Sequence, residues 1–337
     1  MAREPRADCK EHGVHQVKVP WAGPGSRFTA MFEALAIDGL KETGISGVGR
    51  LLDLTWRQVD GIMNRAVTRG LARRKLELPT QMGVDETSFQ KRHEYVTVVC
   101  DLVRNVVVHV AGGRTKESLG QFCRQFSQEE LASIDTIAMD MCAAFIAVTR
   151  ERVPEADEKI AFDKFHVAAH LSDAVDKVRR AENARLKRNG DDALKGTRYL
   201  WLSNPANLSD VQAAALEALT RVVKLTARAW VLKERAAERW DFRDRWAARR
   251  AWLRWYERAI RSRLKPVQKA ARLVTEHLDG ILNAVITGMT NAKVEGINST
   301  VQWVKATACG FRNRDRFRNA IYFHLGGLDF YPGTLNR

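Results

Sequence analysis

The spacing of hydrophobic positions changes along the chain, and the changes divide it. Over residues 1–28 no period holds, and the Pro and Gly that punctuate the stretch predict loop. Between Phe32 and Leu71 apolar residues recur at helical spacing. FEALAIDGLKETG predicts a first helix ending at Gly44. Ser46 is placed to cap a second, short helix through Leu52, and Thr55 to cap a third from Trp56 to about Arg69. Gln58, three residues after Thr55, completes a capping box. Short helix, tight turn and capped helix predict a helix-turn-helix over residues 29–74, with Arg57 and Gln58 at the start of its last helix as DNA contacts. Plain helical packing is the competing account of the same pattern.

After the basic linker RGLARRKLELPTQ the period falls to two. GVDETSF, HEYVTVVCDL and NVVVHVAGG predict three β-strands, the last two joined at Arg104 and Asn105. A helix (TKESLGQFCRQF), a fourth strand (DTIAMD), a helix (CAAFIAVTRE) and a fifth strand (KIAFDKF) follow. Three antiparallel strands and then alternating helix and strand predict an α/β fold with a ribonuclease-H-like core whose first part spans residues 80–165. From about His166 to Thr287 the pattern is helical throughout, an all-helical insertion over 166–287. Residues 288–337 supply a last core helix and a tail.

Charge narrows the class of partner. The 337 residues carry 55 Lys plus Arg against 40 Asp plus Glu, a net +15, which predicts a polyanion, first of all double-stranded DNA. No long uncharged apolar span and no lipidation signal favours a membrane instead, and MAREPRADCKEHG lacks the apolar core of a secretory signal. The five cysteines are scattered rather than paired in a framework, which predicts a reducing cytoplasm. The excess charge is concentrated: Arg221 to Arg272 holds 17 Lys or Arg against 5 Asp or Glu, together with Trp230, Trp240, Trp246, Trp252 and Trp255. Arginines such as Arg249 and Arg250 are expected to lie along DNA phosphates, or else to form the solvated face of a bundle. The tryptophans are expected in the core.

Three acidic residues stand out chemically. Asp85 lies inside the strand GVDETSF, Asp140 closes the strand TIAMD, and Glu295 lies in the helical segment NAKVEGINSTVQWVK. Asn298, Ser299 and Gln302 follow Glu295 on the same helix face. An acid in an apolar strand is costly unless something compensates it. Two strand-borne aspartates and a helix-borne glutamate can hold a pair of Mg²⁺ or Mn²⁺ ions, which prefer oxygen ligands, and such a pair serves phosphodiester transfer. A satisfied structural acid is the competing account of each. Glu86, Asp101 and Asp163 are rival carboxylates; Asp163, ending AFDKFH, is placed to support a metal site from behind, as are His166 and Asn298. Cys142 lacks a base at readable spacing and is no nucleophile. Arg312 and Arg314 begin a basic stripe in GFRNRDRFRNAIYF that can follow the catalytic helix onto DNA.

MGVDETSFQKRHEYVTVVCDL, AMDMCAAF, FDKFHV and NAKVEGINSTVQWVKATACGFRNRDRF, in that order, resemble the successive blocks of the L-three family of insertion-sequence transposases. These are DDE-type enzymes of bacterial mobile elements, and the resemblance runs from about Cys9 to the C-terminus. It implies that Asp85, Asp140 and Glu295 are the catalytic, metal-binding carboxylates and that a helical insertion separates the last two. The implied reaction is nicking at transposon ends, then attack of the freed 3′-hydroxyl on target DNA. A homo-oligomer on DNA in the bacterial cytoplasm, at the nucleoid, is the implied setting.

The chain departs from the family pattern twice. Members usually begin with a zinc ribbon of two knuckles, whereas here Cys9 and His12 in CKEHG form half a site. A closed zinc site needs four ligands, so no structural zinc is expected, and residues 1–28 read as the remnant of a truncated ribbon. Relatives often carry a basic residue two turns after the glutamate, where this chain has Gln302; Lys305, next along, is the substitute expected to grip DNA. Two other functions fit the same residues: a truncated remnant that binds DNA without transposing, and a ribonuclease-H-like nuclease that cleaves without joining.

Overall fold

The computed structural model describes residues 6–16, 21–23, 26–90, 94–288 and 292–333. A small antiparallel hairpin, β1 (Arg6–Cys9) and β2 (Gly13–Gln16), comes first. Three helices follow: α1 (Ala30–Glu42), α2 (Ile45–Leu52) and α3 (Trp56–Arg73). The strand-rich stretch is β3 (Gln81–Gln90), β4 (Glu94–Asp101) and β5 (Val106–Gly112), then α4 (Lys116–Cys123), α5 (Gln128–Ala132), β6 (Thr136–Met139), α6 (Ala143–Arg152), α7 (Ala156–Lys159) and β7 (Ile160–Phe162). The remainder is helical: α8 (Lys164–Arg188), α9 (Arg198–Leu202), α10 (Asp210–Val222), α11 (Lys224–Ala237), α12 (Arg245–Arg261), α13 (Lys265–Glu276), α14 (Leu278–Thr287), α15 (Ala292–Thr307) and α16 (Arg314–Leu325). All five predicted core strands are present, in one sheet of order β5-β4-β3-β6-β7. β4 and β5 are antiparallel around Asn105, whose φ of 57° is the left-handed conformation such a turn requires. β6 runs parallel to both β3 and β7. A mixed five-stranded sheet among helices is the α/β class expected, and it is consistent with a ribonuclease-H-like core.

The chain gathers into two units. The first comprises residues 1–79, 85–125 and 293–337; the second comprises 80–84 and 126–292. In the first, Val59, Ile62, Met63, Ala66 and Val67 of α3 are buried, as are Ile37 and Leu40 of α1 and Phe317, Ala320 and Ile321 of α16. Glu33, only 1% exposed, is kept in this core by Ser26 (2.6 Å) and by Arg65 (2.9 Å to Nε). A buried carboxylate is tolerable when charge-assisted hydrogen bonds replace its water. The Thr55–Gln58 capping box is formed as predicted. Ser46, by contrast, does not cap α2: only two residues separate the first two helices, so Gly44 takes the cap position without a side-chain bond. α3 also runs past Arg69 to Arg73, because Gly70 is covered by the tail. A Cβ there would lie 2.7 Å from that of Leu328.

In the second unit β6 and β7 are fully buried, and α14 lies against β7. The side-chain amide of Asn283 donates to the carbonyls of Asp157 (2.9 Å) and Ile160 (2.8 Å), pinning α14 to the strand. The predicted fifth strand is shorter than its sequence block, since α8 begins at Lys164 and Asp163 becomes its cap residue. Glu182 of α8, 2% exposed, accepts from the amides of Leu225 (3.2 Å) and Thr226 (2.7 Å). It thereby caps α11 in place of Val223, whose side chain cannot. Trp252 and Trp255 are buried as expected, and Trp255 donates to the Leu232 carbonyl (2.8 Å). Trp246 departs from the expectation at 74% exposure. It lies nine residues before Trp255, about half a turn round the helix, on the outer face. Among the described residues no helix is long and apolar enough to cross a membrane.

Candidate active site

Each strand of the parallel set carries a carboxylate at the same level, Asp85 inside β3 and the other two directly past β6 and β7. Val84 of β3 pairs with Met139 of β6, and Met139 with Phe162 of β7. The next residues along are Asp85, Asp140 and Asp163. Asp85 and Glu295 belong to the first unit, Asp140 and Asp163 to the second.

In the first unit Asp85 is half-buried, and its Oδ1 accepts from the Glu86 amide (2.7 Å). Its Oδ2 accepts from the side-chain amide of Asn298 on α15. The contact is the first of three along one seam. Gln302 Nε2 donates to Thr87 Oγ1 (2.9 Å), and Lys305 Nζ donates to the Ser88 carbonyl (2.7 Å). Residues 298, 302 and 305 fall on one face of a helix, so α15 is laced to β3 from Asp85 to Ser88. Glu295 lies three residues before Asn298 in the same helix, and its side chain is outside the described residues. Lys305 is thus half-buried and bonded to the strand. Sequence spacing had suggested the shared face; the partner strand was not readable from it.

In the second unit Asp140 is half-buried and accepts from the Cys142 amide (3.0 Å). Asp163 is 4% exposed, and its Oδ1 has no hydrogen-bond partner. His166, half-buried, and His170 follow in the first turns of α8. Burial pushes the His170 imidazole below its ordinary pKa, helped by His166 and opposed by Asp173 and Asp140; Asp140 therefore lies within electrostatic reach of α8. Among the described residues no group of three or more His, Cys, Asp or Glu is arranged to hold a metal ion. Two rival acids have structural employment. Asp101 accepts from the amides of Val103 (2.8 Å) and Arg104 (2.9 Å) and from Arg104 Nε (2.6 Å). Burial pushes its pKa up, but these bonds outweigh burial and hold it below the usual carboxylate value. Glu86 pairs with Arg114 (2.7 Å).

The candidate DNA-contacting residues are distributed over both units. Arg57 and Gln58 are at the start of α3; Gln58 Oε1 is engaged by the Thr55 amide (2.8 Å). Beside them the guanidinium of Arg316 sits over the Trp56 ring (4.7 Å) and pairs with Asp60 (3.1 Å). Here the first unit has a cleft of about 560 Å³, lined among others by Trp56, Met63, Trp303, Phe311 and Arg312, which the sequence did not signal. Arg312 is exposed, and Arg314 approaches Glu94 (3.4 Å). In the second unit Arg249 pairs with Asp279 (2.8 Å), while Arg250 is exposed. Cys9 and His12 meet at the tip of the β1–β2 hairpin, Sγ to Nδ1 3.5 Å. Hydrogen bonds from the Glu11 and His12 amides hold the Cys9 thiol below its usual pKa.

Comparison with known proteins finds relatives of this sequence. Residues 82–321 match a family model described as a transposase, and residues 17–67 match one described as the helix-turn-helix domain of transposase family ISL3. The transposase for insertion sequence element IS1001 of Bordetella parapertussis is 29% identical over 333 residues, covering 97% of this chain and 79% of the relative. The transposase for insertion sequence element IS1557 of Mycobacterium tuberculosis is 28% identical over 337 residues, covering 93% and 75%.

Proposed function

Because the chain belongs to the ISL3 family of insertion-sequence transposases, we propose that it cuts DNA at the ends of its element and joins the freed strand to target DNA. Asp85, Asp140 and Glu295 are the carboxylates assigned to the reaction. The observation that carries this reading is the strand register: Asp85 and Asp140 directly follow the paired residues Val84 and Met139 of two parallel strands, where catalytic groups of open α/β sheets gather. The donor set is all oxygen and suits Mg²⁺ or Mn²⁺; within the second unit the buried, unpartnered Oδ1 of Asp163, one strand over from Asp140, suits a cation-binding edge. A pair of such ions supplies stabilisation of the attacking and leaving oxygens of an in-line phosphoryl transfer.

The chain's own groups do the positioning. The Glu86 and Cys142 amides fix one oxygen each of Asp85 and Asp140. Asn298 fixes the other oxygen of Asp85 and ties the helix that carries Glu295 to the strand that carries Asp85. The helix-turn-helix and the arginines of α12 and of residues 312–314 supply the DNA contacts. Two element ends must be joined to one target, which calls for two or more copies of the chain on DNA. The test is strand joining by the purified protein with Mg²⁺ and a pre-nicked terminal DNA. Asp85→Asn, Asp140→Asn and Glu295→Gln are each expected to lower joining by about 10²–10³-fold, the size of loss seen when a charge-stabilising group is removed. Joining that survives all three refutes the assignment; cleavage of branched DNA without joining identifies a nuclease instead.

A further inference from the structure

Asp163 has no structural task that accounts for it. It is the cap residue of α8, yet its side chain makes no capping bond, although an aspartate there ordinarily accepts from an amide of the first turn. It is 4% exposed, and Oδ1 finds no donor. A carboxylate oxygen kept dry and unpaired is costly, and a cation bound there would offset the cost. The register says where that oxygen is presented. Met139 and Phe162 are paired on adjacent parallel strands, and Asp140 and Asp163 occupy the next position of each. In-register side chains share a face, and adjacent strands lie about 4.8 Å apart. Two carboxylates so placed repel one another unless a cation lies between them.

We propose that Asp163 is a fourth carboxylate of the metal site and grips, together with Asp140, one divalent cation of the Mg²⁺ or Mn²⁺ type. The proposal rests on the reading that Asp140 holds metal. Mg²⁺ is commonly held by one or two carboxylates, with water and phosphate oxygens completing its shell, so a pair suffices without a third protein ligand nearby.

The experiment is titration of Mn²⁺ into the full chain, without DNA, followed by water-proton relaxation, with circular dichroism and melting temperature recorded for each variant. The wild type is expected to take up Mn²⁺ and Asp140→Asn to lose it. Asp163→Asn is expected to weaken Mn²⁺ at least tenfold while keeping the fold, and the rise in melting temperature caused by Mn²⁺ shrinks with it. Should the asparagine fail to fold, Asp163→Ser removes the carboxylate and leaves a good helix cap; it is expected to show the same tenfold loss. Asp163→Glu restores part of the affinity. Wild-type affinity in a folded Asp163→Asn or Asp163→Ser protein, with Asp140→Asn defective, overturns this proposal and leaves the role of Asp140 intact. Wild-type affinity in Asp140→Asn as well, or no uptake by the wild type, overturns both.

Discussion

Gly280 offers a quantitative test of how tightly the second unit is packed around β7. It lies in α14 facing Phe162, and a Cβ there would lie 2.4 Å from Cδ2 and 2.5 Å from Cε2 of that ring, and 3.3 Å from the Ile160 carbonyl oxygen. Carbon atoms are comfortable at about 3.5–4.0 Å, so helix and ring must separate by about 1 Å. The helix cannot slide freely, because Asn283 one turn on is bonded to the carbonyls of Asp157 and Ile160. Overpacking of this kind costs about 1–3 kcal/mol, while replacing a helical glycine with alanine returns about 1 kcal/mol. A clash this deep takes the upper part of that range, about 2–3 kcal/mol, so the balance for Gly280→Ala is a loss of about 1–2 kcal/mol. Gly296→Ala is the matched control, a helical glycine whose added Cβ meets nothing within 4 Å, and it is expected to gain up to about 1 kcal/mol. Urea denaturation followed by tryptophan fluorescence measures both, since six of the nine tryptophans (201, 230, 240, 246, 252 and 255) lie in the second unit with Gly280 and three (21, 56 and 303) in the first with Gly296. A Gly280→Ala protein as stable as its parent, with an unchanged denaturant slope, refutes the packing argument.

His109 is half-buried against Phe122 (centroids 5.6 Å), and this burial pushes its imidazole below the ordinary value. The unfolded chain therefore binds a proton there at higher pH than the folded one, and stability is lost as pH falls below about 6.5 towards the folded value. Urea midpoints measured from pH 5 to 8 should rise with pH, and His109→Phe should flatten part of that slope; an unaltered slope counts against the burial argument. Arg250→Ala is expected to weaken DNA binding evenly across sequences and to reduce the slope of log K against log salt by about 1; a slope measured by fluorescence anisotropy that does not move removes Arg250 from the interface. Lys305→Met should lower stability by about 1.5–3 kcal/mol, the value of a charged hydrogen bond, and leave the salt slope alone, since its ammonium is bonded to Ser88. A fall in that slope with stability unchanged makes Lys305 a phosphate contact instead.

The local features of the fold were readable because they follow short-range rules. Period-two runs marked β3 to β7, and the Thr55–Gln58 box marked the start of α3. Failures came where a distant segment or the phase of a helix decided the outcome. Gly70 looks like a helix stop, but the close approach of Leu328 makes glycine the residue that lets α3 continue. Trp246 shares its tryptophan-rich neighbourhood with Trp252 and Trp255, yet the 3.6-residue turn sends it outward. Asp85, Asp140 and Asp163 were legible as acids inside or closing apolar runs. The lacing of Asn298, Gln302 and Lys305 to residues 85–88 was not, because nothing in either segment names the other.

The candidate carboxylates also differ in how the chain treats them, and the difference bears on their roles. At Asp85, inside β3, and at Asp140, just past β6, the amides one and two residues on donate back to the carboxylate itself, at 2.7 and 3.0 Å. One oxygen of each is thereby oriented before any ligand arrives, which is the preorganisation a metal site needs. At Asp163 the chain turns straight into a 25-residue helix whose first-turn amides have no intrahelical acceptor, yet its Oδ1 accepts from none of them. An acid that served only to start α8 would have accepted from the first-turn amides. Its failure to do so, at 4% exposure, is more easily reconciled with a cation held beside Asp140 than with any task inside the folded chain.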